Sequence, residues 1–427
     1  MLHKMWNIER EKIETQSVFW NIMSSGINSV VSMLLLWVVT FVNGVADAGL
    51  FSLGFSTSQM MLTVANYGMR NYQATDINHK YSMRVYLASR IITSIVMIVS
   101  AFAFVRIEGY FFEKALITVL LCLLKVTDAV DDVYGGYYQQ QGRLDISGKI
   151  MSVRIVAYII AFCVSLFFSH NLIVSICIAI FISAFILIVL VKSTQEVVIL
   201  EKPEFSWKKI YLLLYECAPL CIGAFLLIYI GNAPKYAIDA YMSSSEQALY
   251  TYLFMPCFVT NLFVGFALQP LLVRLSKKWL HKEYEKFLKL CGLIFLGAIG
   301  ISGIILGLGS AIGCQILSIV FGVQLIQYKK VLVILLVGGT FYAFAVIEQV
   351  ILTVMRKQLF FLIGFVIASV VAFFISNPLV KSFGLLGAGY AYLISTGVLF
   401  LTLAVLIFVF IFCEKRKEVQ LIDGKSF

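Results

Sequence analysis

The chain has 427 residues, 61% of them apolar and only 13% charged, and a water-soluble protein of that size needs far more charge to cover its surface. Apolar runs such as 30–42, 91–105 and 398–413 hold no acidic or basic residue; they approach the roughly 20 residues with which a helix crosses a bilayer, and their continuity excludes an alternating β-barrel. The composition predicts an all-α membrane protein of about twelve transmembrane helices, and makes the net charge of +10 a topology signal that needs no nucleic-acid partner.

Residues 1–16 are polar and amphipathic, and no small-residue cleavage site follows a short apolar core. No removable signal peptide is expected, and the first span serves as the insertion signal. Spans are predicted at 17–42, 46–67, 86–107, 115–137, 150–168, 171–191, 210–231, 249–273, 289–311, 330–355, 359–376 and 384–412. Twenty-six basic residues fall on the side of both termini, against six on the other (Arg106, Lys114, Lys235, Lys329, Lys330, Lys381) and Lys125 within the fourth span. That asymmetry places both termini in the cytoplasm.

Polar side chains inside hydrocarbon are costly, so their placement is the most informative pattern along the chain. The first span carries Asn21, Ser24, Ser25, Asn28 and Ser32 at three- and four-residue steps, and the second carries Ser52, Ser56, Gln59, Thr63 and Asn66 on one helical face. The eighth holds Thr260, Asn261 and Gln269 beside Gly265 and Pro270. Such residues also glue helices together. Repeated in spans 1, 2 and 8, they predict a water-filled cavity lined by Asn21, Ser25, Asn28, Ser56, Gln59, Thr63, Asn66, Asn261 and Gln269.

The fourth span bears Lys125, Asp128, Asp131 and Asp132, with Lys125, Asp128 and Asp132 on one face. An internal pair between Lys125 and Asp128 is expected there. Glu216 and Glu348 are buried acids of spans 7 and 10; with Asp128 and Asp132 they are candidates for ion or proton coupling, or simply bonds to a neighbouring helix. Arg70, Lys80, Arg84, Arg90 and Arg154 crowd the cytoplasmic ends of spans 2, 3 and 5, where positive-inside anchoring accounts for most such residues. Arg90 and Arg154 fall about a turn inside. A guanidinium grips phosphate oxygens in pairs, so Arg70, Arg90, Lys125 and Arg154 are the candidates for an anionic headgroup.

The nine cysteines show no Cys-x-x-Cys or His/Cys spacing, so they are assigned to packing, and no metal or cofactor is expected. Two halves, 1–200 and 201–427, meet at a linker, 192–209, that contains Pro203. Asp47-Ala48-Gly49-Leu50-Phe51-Ser52 enters span 2 and Glu246-Gln247-Ala248-Leu249-Tyr250-Thr251 enters span 8. Both read acid, any, small, Leu, aromatic, hydroxyl, which suggests a parallel six-span repeat.

Three blocks resemble bacterial polysaccharide-biosynthesis flippases of the Wzx type, within the multidrug/oligosaccharidyl-lipid/polysaccharide exporter superfamily. The first runs from Asn66 through Arg70 to Asp76, with Lys80-Tyr81-Ser82 beyond. The second runs from Asp131-Asp132 through Gly135-Gly136 and Arg143 to Lys149, and the third from Gly231 through Lys235 to Asp239. The resemblance implies two six-helix lobes about a central cavity lined by helices 1, 2, 7 and 8, in the bacterial cytoplasmic membrane. It implies transfer of undecaprenyl-diphosphate-linked oligosaccharide repeat units from the cytoplasmic to the outer leaflet by alternating access, for capsule, exopolysaccharide or O-antigen. Membrane lipids, a polysaccharide polymerase and export machinery are the further partners it implies. No bond is made or broken; basic residues would compensate the diphosphate, and Tyr229, Tyr236 or Tyr342 could stack on sugars.

The alternatives are a drug–cation antiporter on the same fold and a membrane polysaccharide polymerase. Antiport of cations favours acids near the cavity, and the polar stripes of spans 1, 2 and 8 carry none. A polymerase needs a large external loop with catalytic arginines, whereas segments 231–248 and 312–328 are short and poor in basic residues. The four histidines, His3, His79, His170 and His281, lie in loops or the tail, so the chain is not expected to be an enzyme.

Overall fold

The computed structural model describes residues 6, 9–76, 80–268, 272–355, 357 and 359–423. Among them there is no β-strand. The helices are α1 (Arg10–Asn43), α2 (Val45–Asn66), α3 (Met69–Thr75), α4 (Met83–Ile107), α5 (Phe112–Gln140), α6 (Leu144–Ser169), α7 (Leu172–Ser193), α8 (Trp207–Tyr241), α9 (Ser244–Leu268), α10 (Leu272–Leu280), α11 (Tyr284–Leu308), α12 (Cys314–Phe321), α13 (Lys329–Val354) and α14 (Phe361–Asp423). The last is two arms parted at Gly384, whose φ of 57° is non-helical. The arms fold back on each other: Phe360 and Phe410 rings lie 4.7 Å apart, and Gly364 faces Leu399 and Leu403. Counting both arms, twelve long helices match the twelve expected spans.

Eight continuous helical stretches are long and apolar enough to cross a membrane, α14 counting once. Of the other long helices, α5 carries Lys125, Asp128, Asp131 and Asp132 and α2 carries Ser52, Ser56, Ser58, Gln59 and Thr63, polar or charged groups where a solitary span would carry leucine. Elsewhere the surface is richly apolar: Phe41, Phe112, Ile107, Phe168 and Ile319 are each at least 78% exposed. Aliphatic and aromatic surface on that scale is stable only against lipid tails. The chain is a multi-pass membrane protein.

Contacts divide the chain into two units, Met1–Ile228 and Tyr229–Phe427. The division falls inside α8 and not in the 192–209 linker, because Ile210, Leu213 and Cys217 belong to the core of the first unit with Tyr86, Tyr138 and Val191. Within the first unit α1 packs along α6, α6 along α7, and α2 against α4 and α5; within the second, α13 packs with α9, α11 and α14. The acids of the six-span repeat signature occupy matching positions, each in the first turn of its helix. Asp47 accepts from Asn43 Nδ2 at 2.8 Å, and Glu246 accepts from the backbone N–H and hydroxyl of Ser243, both at 2.9 Å. Glu246 thereby satisfies a backbone donor at its helix start, and both carboxylates complement the helix dipole.

Two segments expected to be external loops are helical. Residues 231–241 continue α8 despite Gly231 and Pro234, because Asn232, Lys235, Ala237 and Ile238 are buried and packing overrides local propensity. Residues 314–321 form α12, joined to α11 by a π-helical turn at Gly309–Gly313.

Close approach of α1 to α6 depends on Gly148, where an added Cβ would lie 2.6 Å from the Trp20 carbonyl carbon and oxygen. Backbone cannot move aside as a side chain can. Gly148→Leu should therefore lower the melting temperature of the purified protein by several degrees, the usual consequence of about 1–3 kcal/mol of overpacking. Gly26→Leu, at a site with nothing within 4 Å, should leave it unchanged.

Candidate functional site

The charges of α5 meet those of its neighbours in one network inside the first unit. Arg154 comes from α6, about three turns beyond Leu144 at 3.6 residues per turn. Its Nη1 pairs with Asp128 Oδ1 at 2.7 Å and its Nη2 with Asp131 Oδ2 at 2.9 Å, while Nε reaches the same Asp131 oxygen at 3.1 Å. Nη1 also lies within hydrogen-bond reach of Thr127 Oγ1 and Ser183 Oγ, at 3.1 and 3.0 Å. The Thr127 hydroxyl donates to the Leu124 carbonyl at 2.7 Å, so Ser183 is the donor in the 2.7 Å contact between the two hydroxyls. Lys125 Nζ donates to Asp128 Oδ2 at 2.7 Å, forming the pair expected one turn apart.

Arg90 of α4 supplies the second guanidinium. Its Nη2 pairs with Asp132 Oδ2 at 2.7 Å, and Nη1 donates to the Asn66 side-chain oxygen at 3.1 Å and to the Ala65 carbonyl. Nε is buried without a partner. Side chains of Arg90, Arg154 and Lys125 are 2%, 1% and 3% exposed. Burying each of these charges costs several kcal/mol, so the carboxylates are conditions of its being there at all.

Arg70 differs. Its Nη1 is 3.6 Å from Asp132 Oδ1, and its side chain is 30% exposed. The guanidinium crosses α5 at Gly135, where a Cβ would stand 3.3 Å from Arg70 Cζ and 2.8 Å from Ser147 Oγ. At Gly136 a Cβ would meet Gln73 Oε1 and the Arg70 Cγ. The Gly-Gly pair after Asp131-Asp132 is thus the seat of Arg70. Over these seven ionisable groups, four cations meet three carboxylates, and the surplus positive charge reaches solvent at Arg70.

Beside the network, Glu216 of α8 accepts from Lys80 Nζ and from the hydroxyls of Tyr72 and Tyr81. The hydrogen bond to Glu216 holds the Lys80 ammonium above its ordinary range, and burial, then the Glu216 bond, pushes the Tyr72 phenol up to about 12. Arg143, from the second sequence block, bridges Asp145 at 2.9 Å and the Trp6 carbonyl at 2.7 Å.

The polar stripes sit as follows. Asn21, Ser25 and Asn28 of α1 are exposed; at about 100° per residue Asn28 lies opposite Phe19, itself 51% exposed. One side of α1 is therefore lipid-like and another hydrophilic. On α2, Ser56, Gln59 and Asn66 are half-buried, and Thr63 is buried, its hydroxyl returned to the Met60 carbonyl at 2.7 Å. In the second unit Gln269 lies outside the described residues, and so does the side chain of Asn261. Glu348 of α13 is 2% exposed, with Oε2 unpartnered. Tyr229, Tyr236 and Tyr342 are half-buried.

Sequence reasoning paired Lys125 with Asp128 but missed that Arg154 spans Asp128 and Asp131, and that Arg90 and Arg70 share Asp132. The i, i+3, i+4 spacing of acids on α5 was the available signal. Their partners lie 20–60 residues away in sequence, where spacing is silent.

No family model matches the sequence. The capsular polysaccharide biosynthesis protein CapF of Staphylococcus aureus is 22% identical over 323 residues, 74% of this chain and 79% of that protein. A solved inward-facing multidrug resistance MATE family transporter of the MOP superfamily superposes with a TM-score of 0.70 at 13% identity, over 95% of this chain and 99% of its own. The lipid II flippase MurJ, inward closed, superposes with a TM-score of 0.72 at 12% identity, over 96% of this chain and 93% of its own. The chain carries the fold of MOP-superfamily transporters. That fold sets α5 among α2, α3, α4 and α6, which brings Arg70, Arg90 and Arg154 to the acidic stretch beside α5's own Lys125.

Removing one member of a buried pair strands the other. Asp131→Asn should cost about 3–5 kcal/mol of stability, seen as a lower melting temperature in detergent, because Arg154 loses the negative charge that two of its nitrogens face. Asp132→Asn should cost as much through Arg90, whereas Arg70→Ala should cost no more than about 1 kcal/mol.

Proposed function

We propose that the chain moves an undecaprenyl-diphosphate-linked oligosaccharide repeat unit from the cytoplasmic to the outer leaflet by alternating access, for synthesis of a surface polysaccharide. The observation that carries the proposal is Arg70: a cation on α3 just past the polar face of α2, about one-third open to solvent and, among the described residues, paired at one long contact, 3.6 Å to Asp132. An exposed ion pair is worth only about 0–1 kcal/mol. A diphosphate, which accepts two parallel N–H bonds from a guanidinium, competes with Asp132 for it at little cost. The capsule-biosynthesis relative and the lipid II flippase fold support the same class of substrate.

Asp132 keeps its bond to Arg90 when Arg70 leaves, so no carboxylate is stranded. Arg90, Arg154 and Lys125, engaged by aspartates here, would grip the headgroup only by trading carboxylate for phosphate. That exchange supplies the differential contacts between two states that a transport cycle needs. Asn21, Ser25 and Asn28 of α1, with Ser56 and Gln59 of α2, offer hydrogen bonds to sugar hydroxyls, and the polyprenyl tail stays in lipid. Asp132, whose partners change, and Glu348, with its bare oxygen, are the acids proposed for ion or proton coupling. Nothing in the cycle requires a covalent step.

Arg70→Ala should reduce surface polysaccharide roughly tenfold or more, the loss of one charge-assisted bond pair, and lipid-linked repeat units should accumulate on the inner leaflet. Gly135→Val, which fills the seat of Arg70 without altering its charge, should do the same, and Arg70→Lys should recover part of the flux. Surface polysaccharide at the wild-type level in Arg70→Ala would exclude the headgroup role. Strong drug resistance on overexpression, with polysaccharide unaffected, would favour cation antiport instead.

A further inference from the structure

The second unit carries a short helix whose two sides are chemically opposed. On α10, Leu275 is fully buried and Trp279 packs against Tyr284 and Phe287, ring centroids 5.3 and 5.1 Å away. At about 100° per residue, Arg274 and Lys277 lie away from these, and Lys278 flanks them about 60° from Leu275. Arg274 and Lys277 are exposed, and Lys278 shares Glu283 with Lys286, at 3.5 and 3.3 Å. Lys282 and Lys289 are exposed just beyond. A helix with one apolar and one basic side lies in the plane of a membrane interface.

The apolar side is not closed. Between α10 and the end of α13 is a cavity of about 630 Å³, lined by Ser276, Trp279, Leu280, Gln349, Val350, Thr353 and Val354. Its walls are aliphatic and indole, its polar members are two hydroxyls and an amide, and Leu280 at its margin is 73% exposed. Lys277 is the basic residue of α10 nearest in angle to Leu280.

We propose that this groove and the basic side of α10 form a binding site for an anionic phospholipid, one acyl chain in the groove and the phosphate beside Lys277 and Arg274. Charge complementarity selects this occupant. A zwitterionic lipid would fill the groove but gain little from two adjacent cations, and a second copy of the chain would bring like charge against like. The site lies wholly within the second unit and makes no use of Arg70 or of the α5 network.

The full-length protein, purified in detergent and offered phosphatidylglycerol and phosphatidylcholine with identical acyl chains, should retain phosphatidylglycerol in preference by about fivefold or more in native mass spectra. The triple variant Arg274→Gln, Lys277→Gln, Lys278→Gln alters one helix side, with only the Lys278–Glu283 contact to lose, and should remain folded and abolish the preference. Val350→Trp, which fills the groove, should reduce retention of both lipids. Equal retention of the two lipids by the wild type, an unchanged preference in the triple variant, or a second protein chain retained in place of lipid would overturn the site. Loss of lipid preference with normal surface polysaccharide would leave the flippase proposal standing, so the two fail separately.

Discussion

A charge inside hydrocarbon exists only with a partner, and that constraint organises the first unit. The α5 helix places Lys125, Asp128, Asp131 and Asp132 within eight residues, and no lipid can neutralise them. Apolar helix faces slide past one another at small cost, since lipid tails are as apolar as leucine. Ion pairs do not tolerate such slippage. Arg154 must stand level with Asp128 and Asp131, one turn apart on α5, to reach both, and Arg90 must stand level with Asp132. The registers of α4 and α6 against α5 follow.

Small residues make that geometry accessible. Gly148 lets α1 approach the backbone of α6, and Gly135 and Gly136 open the surface of α5 beneath Arg70 and Gln73. Thr127 and Ser183 complete the hydrogen bonding of the buried Arg154 Nη1. The network is therefore graded. Three of its cations are enclosed and paired with aspartates, and the fourth, Arg70, is partly exposed on a glycine seat. On the proposed flippase reading, the fixed charges shape the bundle and the loosely held one is the charge that changes partner.

The spans, their number and the polar stripes were legible in the sequence because each is a local pattern: twenty apolar residues, or a hydroxyl or amide every turn. Lys125 with Asp128 was legible for the same reason. The helical course of 231–241 was not, because Gly231 and Pro234 argue locally for a loop and only burial of Lys235 and Ile238 reverses it. Nor was the attachment of the start of α8 to the first unit, which rests on Glu216 meeting Tyr72, Lys80 and Tyr81 more than 130 residues earlier.

The amino-acid sequence by itself determined that this is an all-helical membrane protein, which helices carry polar faces, and which residues bear charge in hydrocarbon, since a helix satisfies its own backbone and leaves side-chain periodicity as the only variable. Only the tertiary structure decided which charges are spent on one another and which stays open. Pairing between α4, α5 and α6 depends on interhelical register, and register is set by contacts between residues that the sequence holds far apart.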